Sequence, residues 1–181
     1  MVNVYIVLLP DSLILDWAGP AEALRMANQA LVGAGKDPRF ALHFVSPLPR
    51  APSSVGVALD GLQPLPKLNV VGEHQPTSWV VLVGQSGGGA LRTDTDANRA
   101  ALHWLRGLRP AAGQVELVTI CAGAVLAAHA GLLAGRRATT HHQHLHELAA
   151  VDPRCDVVAN RVFDDDGPVY SSAGVTDRKS T

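Results

Sequence analysis

The sequence predicts an α/β domain built on a mostly parallel β-sheet covered on both faces. Apolar runs of strand length alternate along the chain with stretches of helical periodicity. Three of those runs, VNVYIVLL (2–9), WVVLV (79–83) and VELVTI (115–120), are nearly unbroken in apolar residues, as strands buried on both faces must be. A length of 181 residues, 47% hydrophobic and 17% charged, suits one domain with a core that needs no disulfide staples.

The elements follow in order. After the first strand, a helix is expected near 20–32, with Pro20 suited to its first turn and Leu24, Ala27 and Leu31 on one face. FALHFVS (40–46) is the second strand. Residues 50–69, punctuated by proline and glycine around an alternating Val55, Val57 and Leu59, predict a hairpin excursion rather than a linker. Beyond the strand at 79–83, Gly87, Gly88 and Gly89 read as a flexible turn lining a crevice, because the run lacks GxGxxG spacing and a P-loop lysine. Thr93 or Asp94 is expected to cap a helix with Leu102 and Leu105 inward and Arg99 and Arg106 in water. The strand at 115–120 runs straight into Cys121 and then a helix in which Val125, Leu126 and Ala130 are buried. Arg137 to Thr140 is a short β-like piece. HHQHLHE (141–147) opens a helix whose buried stripe is Leu145 and Leu148, leaving the imidazoles mostly solvated. RVFDDDGPVYSSAGV closes the fold as two short strands around an Asp-Gly turn.

Composition excludes several functions. A net charge of −1 with scattered arginines provides no electrostatic footprint for nucleic acid. No apolar run approaches the ~18 residues a membrane span needs, and the opening MVNVYIVLLPDS lacks the basic start and cleavage site of a signal peptide. The expectation is a cytoplasmic protein, without membrane contact, in which Cys121 and Cys155 are thiols rather than a disulfide.

Chemistry concentrates at VELVTICAGAVLAAHAGLL (115–133). Small residues directly after Cys121 suit a tight strand-to-helix turn, and Gly123 is expected to take positive φ there. A thiol at that turn faces a helix N-terminus, which favours thiolate, at the carboxyl end of a central strand where open α/β sheets place their ligands. A small buried cysteine is the plain alternative. Asp16, after the first strand, is placed to hold the thiol's proton or orient a water; as a bland residue it caps a helix. His141 is a third candidate, and otherwise a structural or surface histidine. His142 and His146 stand four apart, but with no HExxH and no third ligand at matching spacing neither a metal nor another cofactor is expected.

LDWAGPAEAL near the start, TICAGAVLAAHAGLLAGRRATTH in the middle and NRVFDDDGPVYSSAGVT at the end resemble the ThiJ/PfpI (class I glutamine amidotransferase-like) superfamily. More narrowly, they are similar to the amino-terminal domains of AraC-type transcription regulators. The resemblance covers about residues 2–176. It implies a flavodoxin-like three-layer sandwich, a nucleophile-elbow cysteine, an acidic neighbour from the first helix region and a homodimer. Where peptidase-like members carry histidine after the cysteine, and isonitrile hydratases threonine, this chain has Ala122. Where a Pro-Gly-Gly oxyanion hole is expected, it has Gly84-Gln85-Ser86; one lost donor of that kind costs about 2.7–4 kcal/mol of transition-state stabilisation.

These departures favour a sensor over a catalyst. The expected function is a small-molecule-sensing, dimerising regulatory domain whose ligand, of unidentified chemistry, is met by Cys121, Asp16, Ala122, Gly84, Gln85, Ser86 and His141. DNA would be bound only through a domain not in this chain. The alternatives are a cysteine-dependent hydrolase or hydratase using Cys121 and Asp16, or a redox sensor built on the same thiol. Residues 1–176 are read as the domain, with its final helix missing, and 177–181 as a polar tail that need not be native.

Overall fold

A computed structural model describes residues 1–68, 76–87 and 89–174 of the chain. Gly88, residue 69 at the end of the expected hairpin excursion, and the stretch from Val175 through the polar tail lie outside the described residues.

The first strand, β1 (Val2–Val7), leads into α1 (Ile14–Gly33) and β2 (Phe40–Val45). A hairpin follows, β3 (Arg50–Pro52) and β4 (Ala58–Asp60), and then β5 (Ser78–Leu82), α2 (Asp96–Arg106), β6 (Val115–Ile120) and α3 (Gly123–His129). The chain closes with β7 (Arg137–Ala138), a single 3₁₀ turn at His142–His144, α4 (Leu145–Val151), β8 (Asp156–Val157), β9 (Phe163–Asp166) and β10 (Val169–Ser172). The main sheet runs β2-β1-β5-β6-β10-β9, parallel throughout except for the edge strand β9. The chain leaves β1 toward β2 and then returns to the other side of β1 as β5. The carboxyl edge between β1 and β5 is therefore the switch point at which open sheets of this kind hold their ligands.

Alternation along the central strands makes two cores. Val4, Ile6 and Leu8 join Val81, Val83 and Ile120 on the face covered by Ala21, Trp17 and Leu24 of α1. Val7, Leu9, Val80, Leu82 and Leu117 turn to the other face, against Leu102 and Leu105 of α2, Val125 of α3 and Leu148 of α4. The result is the flavodoxin-like three-layer sandwich. The hairpin at 50–60 and the Asp-Gly turn, with β9 ending on Asp166 and Gly167 at φ 70°, stand where the sequence places them.

Three expectations are corrected, and one strand is added. The first helix begins at Ile14, so Pro20 lies inside it rather than in its first turn. A proline there gives up one helical hydrogen bond; the tertiary anchor of Leu13, whose N–H donates to Gly84 O at 2.8 Å, starts the helix early all the same. The cap of α2 is Thr95, not Thr93 or Asp94: its Oγ1 accepts from Asn98 N–H at 3.1 Å, and such a cap is worth about 1 kcal/mol. The histidine run opens with the 3₁₀ turn, and His141, His142 and His144 are half-buried rather than solvated, while His146 is exposed. Arg137 and Ala138 pair in parallel with β8, a strand for which the sequence offers no pattern.

Candidate functional site

The carboxyl ends of β1, β5 and β6 supply the site. Strand β6 ends at Ile120, and the next residue, Cys121, adopts φ 56°, a left-handed conformation that costs a residue with a Cβ about 1–3 kcal/mol. Its backbone is held on both sides: the N–H donates to Ser172 O at 3.0 Å, and the carbonyl accepts from Thr140 Oγ1 at 2.7 Å. The positive φ therefore belongs to Cys121, and Gly123, where it was expected, has none. Gly123 is required for a different reason. A Cβ there would stand 2.2 Å from Leu82 O and 2.6 Å from Leu82 C, so α3 crosses β5 with backbone against backbone.

Asp16 enters from the first turn of α1. Its side chain is 4% exposed, and Oδ2 accepts from Gly84 N–H at 3.1 Å. A Cβ on Gly84 would meet Asp16 Oδ2 at 2.9 Å and Cys121 Cβ at 3.1 Å, so the carboxylate and the cysteine flank the same glycine. Gly174, at φ 94°, closes the other side; a Cβ there would lie 3.4 Å from Cys121 Sγ. The thiol is thus packed between two glycines, on a residue only 6% exposed.

The expected donors after β5 are largely committed within the protein. Gly84 N–H bonds Asp16, and Ser86 N–H donates to Asp11 O at 2.8 Å. The Gln85 side chain donates through Nε2 to Pro10 O at 2.7 Å. Beside these residues a cleft opens, lined by Pro10, Asp11, Gln85, Ser86, Ala122 and, from the α2 side, Arg92, Thr95 and Asn98. Ala122 rather than Cys121 forms its wall. His141 does not line this cleft; its Nδ1 accepts from Gln143 N–H at 3.4 Å and its ring lies 4.3 Å from that of His142. His144, which the sequence left as one of a run, does reach the cleft. Its Nδ1 meets Glu147 Oε2 at 2.7 Å while Glu147 Oε1 accepts from Leu91 N–H at 2.6 Å, so α4 fastens the glycine-containing segment to the cleft's rim. Among the described residues no three of His, Cys, Asp or Glu gather as metal ligands.

The second cysteine behaves differently. Burial pushes the Cys155 thiol up to about 11, with Asp152, Asp156 and Asp166 adding to the effect. A thiol pKa raised on folding stabilises the native state below the ordinary value of about 9, and this contribution fades as pH climbs from there to about 11. At pH 8 only about one Cys155 in a thousand is thiolate. Iodoacetamide at pH 8 is therefore expected to leave Cys155 essentially unlabelled in the native protein, with its rate rising about tenfold per pH unit toward 11, as read by peptide mass spectrometry. Appreciable native labelling of Cys155 at pH 7 would contradict its placement.

A doubly wound sheet with a cysteine in the turn between a central strand and the following helix, backed by a carboxylate from the first helix, defines the class of protein. The chain belongs to the DJ-1/PfpI family, whose model matches residues 3–180. It is 32% identical over 180 residues to the HTH-type transcriptional regulator CdhR of Pseudomonas aeruginosa, a match that covers 95% of this chain and 46% of that protein. The chain thus spans about half the length of this curated relative. Among solved structures it is similar to an AraC family transcriptional regulator from Pseudomonas putida (17% identity, TM-score 0.65, 96% of this chain and 84% of that one). It is also similar to DJ-1beta of Drosophila melanogaster (18% identity, TM-score 0.63, 95% and 81%). No helix among the described residues is long and apolar enough to cross a membrane.

Proposed function

We propose that the chain is the small-molecule-sensing, dimerising regulatory domain of a transcription regulator, with DNA contacted by a separate domain. The observation that carries this is the 32% identity to CdhR along almost the whole chain, paired with coverage of under half of that regulator. The geometry supports binding over turnover. Two of the three backbone donors after β5 already serve Asp16 and Asp11, and the cysteine is sealed behind Ala122 and two glycines. The ligand enters at the cleft beside Gln85, Ser86 and Ala122, with Cys121 and Asp16 packed behind that wall.

One observation favours a second reading, a cysteine-dependent hydrolase or hydratase: the strained φ of Cys121 beside Asp16, since such strain collects at functional residues. A single set of measurements separates the two. The purified chain is screened against amides, isonitriles and amino-acid metabolites by thermal shift, sedimentation velocity and product analysis. The sensor reading expects a dimer and saturable stabilisation without product. Turnover that disappears in Cys121→Ser, or a monomer at every concentration with no stabilising compound, overturns it.

A further inference from the structure

The two faces of the main sheet are covered unequally. Helices α2, α3 and α4 all pack on the face of Leu82 and Leu117, and among the described residues α1 is the only helix on the other. Strands stand about 4.8 Å apart and a helix is about 10 Å across, so one helix covers two or three of the six strands. Burial on that face falls in strand order. Val4 and Ile6 of β1 are fully buried, Val118 of β6 and Tyr170 of β10 are half-buried, and Phe163 of the edge strand β9 is 55% exposed, next to Val162 at 73%. The Phe163 and Tyr170 rings stack at 6.3 Å, and Tyr170 is paired in register with Val118, so these side chains form one apolar half-face. Asp164 and Asp166 turn the opposite way, to Arg137 of β7.

Helix α1 is apolar on its outer side as well. Leu15 and Met26, three turns apart, are 56% and 58% exposed, on the stripe opposite Ala21 and Leu24, which face the sheet. The charges of the two surfaces are complementary. Glu116 and Asp165 stand beside Tyr170, whose hydroxyl is pushed up by burial and then by these two carboxylates. Arg25 on α1 is held only by Glu22 in an exposed pair, a contact of little worth.

We infer that the open half of this face, β6-β10-β9, receives α1 of a second copy, while α1 of the first copy seats on the open half of the second. This rests on the dimerising reading and names its surface. A two-fold axis along the strands sets the two α1 helices side by side in one layer between two sheets, so each copy supplies the helix layer the other lacks. Leu15 and Met26 of one copy meet Phe163 and Tyr170 of the other, and Arg25 meets Asp165. Edge pairing of β9 with a second β9 is disfavoured, because it sets the run of aspartates against itself. In outline the open half measures about 14 by 17 Å and α1 about 30 by 10 Å, so each copy contributes roughly 500 Å² before side-chain relief is followed. Against the roughly 800 Å² per subunit of a standard interface, that sets the expectation at a micromolar dimer.

The test is sedimentation velocity of the whole chain across a micromolar concentration series, with circular dichroism to show that each variant is folded. Phe163→Glu and Met26→Glu, both at exposed positions, should each weaken association at least about tenfold. Val55→Glu, on the exposed tip of the β3–β4 hairpin, should leave it unchanged. Mixed in equal amounts, Phe163→Glu and Met26→Glu rebuild one undamaged seat of the two and should associate more tightly than either alone. A dimer unmoved by Phe163→Glu or Met26→Glu, no recovery on mixing, or equal weakening by Val55→Glu overturns the inference and leaves the regulatory reading standing. A parent chain that is monomeric throughout also overturns it. If anilinonaphthalene sulfonate then binds the monomer and is lost in Phe163→Glu, the half-face belongs to a different occupant, and the compound screen alone decides the regulatory reading.

Discussion

Gly123→Ala is expected to destabilise the fold by at least about 3 kcal/mol, at the upper end of what overpacking a core costs. For a chain of this size that lowers the melting midpoint by on the order of 10 °C. The added methyl would stand 2.2 Å from the Leu82 carbonyl oxygen, and its neighbours there are backbone atoms of the central strand β5, which no rotamer change moves aside. Gly123→Val adds two further carbons at the same point and is expected to abolish folding. Gly33→Ala is the control. That glycine ends α1 with nothing near its α-position, so the substitution is expected to be neutral or stabilising by up to about 1 kcal/mol. Urea titrations of the three variants read the result. A Gly123→Ala protein within 1 kcal/mol of the parent, with unchanged Cys121 alkylation, would mean that α3 does not cross β5 so closely.

That prediction also shows where sequence reading reached its limit. The turn after Cys121 is legible because small residues crowd there, but the position that takes positive φ is not. The sequence argues for glycine at such a position, and the protein places Cys121 in it, held by Ser172 and Thr140 from strands and loops far along the chain. Apolar runs locate the central strands to within two residues because burial on both faces leaves no room for polar residues. The start of α1 escapes for the opposite reason. Leu13 is no capping residue, and the helix begins at Ile14 through a hydrogen bond to Gly84, a partner 71 residues away that no local pattern reveals.

The site divides along the same line. Cys121, Asp16 and Gly84 are found by sequence because each lies at the end of a recognisable strand or in the LDWAGP stretch, and the structure brings the three together. His141 and His144 belong to one run of similar residues, and only the fold separates them: His144 reaches the cleft through its pairing with Glu147, and His141 does not. Gly174 and Thr140, which pack and hold the cysteine, come from the far end of the fold and from the piece after β7. Neither carries a chemical signature beyond its size or hydroxyl.

Asp16 should reveal whether its carboxylate does more than hold a backbone together. Asp16→Ala removes the acceptor for the buried Gly84 N–H and is expected to cost about 1–3 kcal/mol, the range for a donor left without its partner. Asp16→Asn keeps an oxygen of the same shape at 3.1 Å from that N–H and should retain most of the stability. The two variants diverge in stability but should agree in chemistry. Were the carboxylate also to orient the Cys121 proton, as proposed for a proton carrier, that role would be lost equally in both, and a positioned proton acceptor is worth about 10²–10⁴ in rate. Iodoacetamide labelling of Cys121 is therefore expected to slow at least tenfold in Asp16→Asn even though the fold survives. Unchanged labelling in a stable Asp16→Asn would reduce the carboxylate to a backbone clasp. Equal stability of the asparagine and alanine variants would show that the Gly84 hydrogen bond contributes nothing, and the packing of Gly84 between Asp16 and Cys121 would then be the whole of the residue's role.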